Sequence, residues 1–145
     1  MASVYDDKTI GAGERWTGRC LCGSVAFEFQ GPVRPFTACH CRTCRRQTGH
    51  FVVATSIPTE QFEFHNREGL SWYSSSHFAE RGFCSRCGSV LFYRMKDRSS
   101  IEVFAGALDD PAGIPVSHHI FAGEKGCYYE LTDGLPAFAG DDTDR

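Results

Sequence analysis

Apolar residues alternate with small or polar ones along Val25-Ala26-Phe27-Glu28-Phe29-Gln30, which puts positions 25, 27 and 29 on one side of an extended chain. A period of two marks a half-buried strand. Gln61-Phe62-Glu63-Phe64-His65 repeats the pattern with both phenylalanines on one face. Further strands are expected at Val90-Leu91-Phe92-Tyr93, Ser100-Ile101-Glu102-Val103-Phe104, His119-Ile120-Phe121 and Tyr128-Tyr129-Glu130-Leu131. Each is bounded by Gly, Pro, Asp or Ser, as strand ends are. Turn signals recur at Gly31-Pro32, Asn66-Arg67-Glu68-Gly69, Asp109-Asp110-Pro111, Lys125-Gly126 and Asp133-Gly134. The best helical segment is a short one over Arg42 to Gln47, stopped by Gly49. Many short strands and little helix predict a small, mainly β fold.

No linker or composition break interrupts the middle of the chain. The expected organisation is a loose lead-in over residues 1–14, one folded domain over 15–139 and an acidic tail over 140–145 that frays. At 145 residues, 41% hydrophobic and 23% charged, the chain suits one soluble domain with a modest core. A net charge of −3 argues against nucleic acid or an anionic membrane as the main partner. No apolar run approaches the roughly 20 residues needed to cross a bilayer. The first residues lack a charged-then-apolar signal pattern, so a cytoplasmic location is expected. Thiols stay reduced there, and clustered cysteines then read as metal ligands before disulfides.

Seven of the eight cysteines fall in three clusters: Cys20-x-Cys22, Cys39-x-Cys41-x-x-Cys44 and Cys84-x-x-Cys87. Spacings this tight bring thiolates onto one ion, and the count divides into four plus three. Cys22-Gly23-Ser24-Val25 and Cys87-Gly88-Ser89-Val90 are the same four residues, each opening an alternating strand. Two such half-sites form a natural pair, which assigns Cys20, Cys22, Cys84 and Cys87 to a closed, structural zinc. Cys39, Cys41 and Cys44 then form a second site with one position to spare for chemistry.

An extended Cys39-His40-Cys41 turns both sulfurs to one side and His40 to the other. Three thiolates on zinc leave a net negative charge, which blunts the acidification of bound water and favours thiol chemistry over hydrolysis. Arg42, Arg45 and Arg46 can offset that charge or grip carboxylates of a small thiol. Cys127, His40, His118 and His119 are candidates for a fourth ligand that would close the site. His118 and His119 are alternatively a base or substrate contacts, or simply packed.

These residues resemble the glutathione-dependent formaldehyde-activating enzyme family, whose domain is shared with centromere protein V. The matching features are Gly18-x-Cys20-x-Cys22-Gly23, Cys39-His40-Cys41-x-x-Cys44, Phe83-Cys84-x-x-Cys87-Gly88, Gly106-x-Leu108-Asp109, His118-His119-Ile120-Phe121 and Asp133-Gly134-Leu135-Pro136-x-Phe138. The resemblance implies a β-tent-like fold of small sheets, a structural zinc on the paired cysteines and a catalytic zinc on the triplet. It also implies a carbon–sulfur lyase that reversibly joins formaldehyde to glutathione. Cys127 stands where the family usually carries tryptophan, which alters pocket volume or adds a ligand. A non-catalytic two-zinc binding module is the competing reading, and the oligomeric state is left open.

Overall fold

The computed structural model describes residues 9–142. Within them, β1 (Arg15–Arg19), β2 (Ala26–Gln30) and β5 (Phe62–Asn66) form an antiparallel sheet in the order β1-β2-β5. The larger sheet contains β3 (Phe36–Cys39), β4 (Val52–Pro58), β6 (Leu70–Ser74), β7 (Ala79–Cys84), β8 (Val90–Met95), β9 (Ser100–Phe104) and β10 (Val116–Ile120). Its order is β10-β3-β4-β9-β8-β7-β6, antiparallel throughout except that β10 runs parallel to β3. The expected mainly β, single-domain architecture is what forms.

The main core lies between the sheets because the alternating residues of each turn toward the other. Phe27 and Phe29 of β2 are 1% exposed. The Trp16 ring stacks on Phe29 at 5.5 Å, and Phe27 meets Phe92 of β8 edge-on at 5.1 Å. Ile57, Leu91, Ile101 and Val103 complete this cluster from the larger sheet. Each buried Phe contributes about 1.5–3 kcal/mol by burial, and Phe27→Ala would cost about 3–5 kcal/mol including the cavity left behind. Strand β4 serves both faces. Its Val53 and Ile57 join the main core, whereas Val52 and Ala54 pack with Cys44 and Phe104 in a second, smaller cluster.

That second cluster seats α1 (Arg42–Thr48), the one α-helix among the described residues. Seven residues are too few for an independently stable helix. It is held by Cys44 packing on β4 and by caps at both ends. Cys41 is the N-cap, its sulfur accepting the Cys44 N–H at 3.3 Å. Gly49 ends the helix in the left-handed region at φ 87°, its N–H bonding the Arg45 carbonyl at 2.8 Å.

Four details differ from the sequence expectation. Tyr128–Leu131 is not a strand: Lys125 Nζ bonds the carbonyls of Gly126 and Tyr129 and closes that segment into a turn. Strands β1, β3, β4, β6 and β7 were not anticipated, since their sequences do not alternate apolar and polar residues cleanly, even where, as in β1 and β3, their burial alternates. β7, for example, buries Arg81. Part of the lead-in is tied down, because Ile10 exchanges two backbone bonds with Val33. The acidic tail is anchored at Asp142, which is buried against His118. Residues 1–8 and 143–145, the remainder of those two expectations, lie outside the described residues. Among the described residues no helix is long and apolar enough to cross a membrane.

Candidate metal centre

The paired knuckles meet as the sequence echo suggests. Cys20 and Cys22 follow β1, Cys84 ends β7 and Cys87 precedes β8, and the four sulfurs lie within 4.8 Å of one another. Cys22 Sγ is 3.7 Å from both Cys20 Sγ and Cys84 Sγ. A tetrahedral ion with metal–sulfur bonds of about 2.3 Å requires sulfurs about 3.7–3.8 Å apart, whereas a disulfide would need about 2.05 Å. The donor set therefore fits zinc.

The repeated Gly-Ser explains itself here. Gly23 and Gly88 take φ values of 84° and 80°, a region costly for any side-chain-bearing residue. The turn brings Ser24 Oγ to 2.9 Å from Cys22 Sγ and Ser89 Oγ to 3.2 Å from Cys87 Sγ. These hydroxyls favour the thiolates: the Ser24 bond lowers the Cys22 thiol, and the Ser89 bond lowers Cys87 to about 5. Burial pushes Cys84 the other way. Ser89 Oγ also accepts the Leu21 N–H at 3.1 Å, tying one knuckle to the other. Gly69 closes over the group, and a Cβ there would stand 2.8 Å from Cys84 Sγ and from Ser24 Cβ.

The triplet is local. Cys39 ends β3, Cys41 caps α1 and Cys44 lies in its first turn, with all three sulfurs within 4.8 Å of one another. Cys39 and Cys44 are 3.7 Å apart, again the tetrahedral edge. Crowding leaves room for one anion among three thiols. Bonds from Cys39 and Cys44 pull the Cys41 thiol down, and its bonds to Cys41 and Cys44 push Cys39 up. For Cys44 the bond to Cys39 acts downward, but the bond to Cys41 and burial outweigh it and raise the thiol. A divalent cation would relieve this competition by accepting all three as thiolates.

No fourth His, Cys, Asp or Glu among the described residues joins the triplet within that distance. Cys127 is exposed and stands apart. His40 turns away, as strand alternation predicts, and is fully buried. Its Nδ1 meets the Tyr129 hydroxyl at 2.6 Å and its Nε2 meets His119 Nδ1 at 2.8 Å, while His119 Nε2 reaches Asp133 at 2.8 Å. Burial depresses His40 to about 4, which keeps the ring neutral with one N–H to give. His119 Nε2–H donates to the Asp133 carboxylate, and the neutral His40 ring donates to one of its two neighbours, Tyr129 and His119, and accepts from the other. His118 is bracketed likewise, by Ser117 at 2.7 Å and Asp142 at 2.6 Å. Both ring nitrogens of His118 and of His119 thus face protein groups, and both rings are buried.

The three arginines of α1 are placed unequally. Arg42 and Arg46 are exposed, whereas Arg45 reaches back to the Glu124 carbonyl at 2.7 Å. The cation that touches the triplet is Arg81 of β7, whose guanidinium lies 3.6 Å from Cys44 Sγ. Nothing local in the sequence marks it. Its position follows from the pairing of distant strands.

A family described as glutathione-dependent formaldehyde-activating enzyme matches residues 15–124. The chain is similar to a lyase of Schizosaccharomyces pombe whose reaction is uncharacterized, at 33% identity over 78 residues. That match spans little more than half of either protein, 54% of this chain and 56% of the other. It is also similar to a Halomonas elongata protein assigned by name to the glutathione-dependent formaldehyde-activating enzymes, at 29% identity over 124 residues and 79% of each chain. The crystal structure of a Rhodobacter sphaeroides protein shares the fold at 18% identity, with a TM-score of 0.53 over 84% of this chain and 98% of that one. The chain belongs to the glutathione-dependent formaldehyde-activating enzyme family.

Proposed function

We propose that this chain is a zinc-dependent carbon–sulfur lyase that joins and separates a small thiol and a small aldehyde, with glutathione and formaldehyde as the species the family description suggests and S-hydroxymethylglutathione as the adduct they would form. The observation that carries this reading is the division of the sulfurs: a complete group of four, and a separate group of three that no other described ligand completes. Cys20, Cys22, Cys84 and Cys87 would hold a structural zinc, and Cys39, Cys41 and Cys44 a second one. Zinc bound by three thiolates would supply an open position suited to a substrate thiolate, with little power to acidify water.

The reaction demands little of the protein beyond placement and charge. As the adduct breaks, the C–S electron pair leaves with sulfur, the hydroxyl oxygen forms the aldehyde C=O and its proton departs. The reverse adds thiolate to the carbonyl carbon and returns the proton to oxygen. α1 fixes Cys41 and Cys44 on one turn, and β3 delivers Cys39 to the same point. The exposed Arg42 and Arg46 would meet substrate carboxylates. A cleft of about 910 Å³ runs from Thr48 at the end of α1 past Phe51, Gly106 and Leu108 to Leu21; the three cysteines do not line it, and it would take the body of a thiol that reaches past α1. A reducing compartment such as the cytoplasm would keep these thiols free to bind metal.

Exchange spectroscopy by NMR on glutathione and formaldehyde, with zinc-loaded protein present or absent, tests the reading directly. Faster interconversion at unchanged equilibrium is expected, together with saturable glutathione binding. An unchanged rate at stoichiometric protein and no glutathione binding would remove this substrate pair and favour a binding module.

A further inference from the structure

We propose that Arg81 is the fixed counter-cation of the three-cysteine site, a positioning residue that holds Cys44 and cancels the charge of the metal-loaded triplet so that an anionic thiol can approach it. The proposal rests on the reading of Cys39, Cys41 and Cys44 as a zinc site.

Arg81 is 5% exposed in the middle of β7. A guanidinium taken out of water needs an anion. Its hydrogen-bond partners are Gln47 Oε1 at 3.0 Å, Ser75 Oγ at 3.4 Å and Cys44 Sγ at 3.6 Å, and the Tyr93 ring lies 5.0 Å away. Gln47 and Ser75 are neutral. Among the described residues no carboxylate comes within ion-pair distance of Arg81. Of its contacts, a sulfur of the triplet is the one able to bear the compensating charge.

The charge count gives the contact a purpose. Three thiolates around a divalent ion carry one net negative charge, and a substrate thiolate would be repelled by it. The Arg81 cation restores neutrality before the substrate arrives. Gln47, one turn beyond Cys44 on α1, holds the same guanidinium nitrogen, so helix and cation move together. The same strand ends in Cys84, so the four-cysteine group fixes the position from which Arg81 reaches the triplet.

Zinc affinity measured by chelator competition on the full-length, zinc-loaded chain tests this. Arg81→Gln removes the charge while keeping a donor. It should weaken the more labile zinc by about 10- to 100-fold, as loss of a ligand-supporting partner does, and leave the tighter zinc unchanged. Arg81→Lys should recover most of that loss. Glutathione titrated into the Gln variant should bind more weakly than to wild type at matched zinc occupancy. A folded Gln variant that holds both zincs as tightly as wild type overturns the proposal. If the Gln variant does not fold, a folded Lys variant lacking the labile zinc overturns it equally. Wild type that never takes a second zinc defeats the metal-site reading itself, and this proposal with it.

Discussion

Two groups of cysteine sulfurs sit in one small domain with the same edge length, yet the chain builds them in opposite ways. The four-sulfur group joins residues far apart: Cys22 and Cys84 are 62 positions distant and 3.7 Å apart. Two of its members, Cys20 and Cys84, are buried in the main core. Glycines with positive φ shape both knuckles, and a serine hydroxyl backs a sulfur in each. The three-sulfur group spans six residues, rests on the small cluster of Val52, Ala54 and Phe104, and is completed by no further described ligand. An ion in the first group would close a long loop and add its binding energy to folding. An ion in the second would order one helical turn. On the proposed reading, topology more than ligand chemistry would separate a staple from a reactive centre.

The largest effect that could break this comparison is loss of fold. Cys84→Ser should unfold the chain or leave it insoluble, because it frees the end of β7 and opens the core at a residue with no exposed surface. Cys44→Ser should leave a folded protein that has lost one zinc and its activity. Circular dichroism with elemental analysis reads both. Equal unfolding in the two variants would make both groups structural. Next in size is the order of metal loss. Two zincs per chain are expected, and a chelator should remove the triplet's first, since it has one protein ligand fewer. Simultaneous release, or a maximum of one zinc under zinc-replete conditions, would erase the distinction.

Much of the four-sulfur group was legible because its signals are local. The repeated Cys-Gly-Ser-Val pairs two distant segments by likeness alone, and Phe27 and Phe29 show their shared face through period-two spacing. The helix and its Gly49 stop were equally visible. The surroundings of the triplet were not. Arg81 reads as one of two charged residues in Ala-Glu-Arg-Gly-Phe-Cys, and its burial depends on β7 pairing with β8 and on α1 crossing above. The basic run Arg42, Arg45 and Arg46 drew attention instead, although one of the three is tied to the Glu124 carbonyl and two are exposed. The sequence left His118 and His119 between metal ligand, base, substrate contact and simple packing. Their partners Asp142, His40 and Asp133 are distant in sequence, and the parallel β10–β3 pairing brings His119 beside Ala38.

A smaller effect sharpens the contrast within the staple. Ser24→Ala and Ser89→Ala each remove a hydroxyl that donates to a ligand sulfur, at 2.9 and 3.2 Å. Zinc at the four-cysteine site should bind about 10-fold more weakly in each, with the triplet unaffected. The double variant should lose more than either alone, because Ser89 also holds the Leu21 amide of the opposite knuckle. Competition with a chromophoric chelator resolves the two sites. Weakening at the triplet instead would mean that the sites are not independent.

The smallest effect concerns a carboxyl on the same sheet face as the triplet, along the row Arg81, Tyr93, Glu102 and Ser56. Glu102 of β9 pairs with Tyr93 of β8 on one side and Ser56 of β4 on the other. Burial raises its carboxyl to about 7, against the pull of Arg34, Arg81 and Arg98 and with Asp141 acting upward. The folded chain therefore keeps this proton to higher pH than the unfolded chain does. The resulting stabilisation is fully present below about 4.5 and is lost as pH rises through about 7. Glu102→Gln cannot lose that proton. Its melting temperature should match wild type near about pH 5 and exceed it by roughly a few degrees near about pH 8. Acid release of metal affects both proteins alike, so their difference isolates the carboxyl. A difference that does not change between the two pH values would show that Glu102 titrates in the folded chain as it does in the unfolded one.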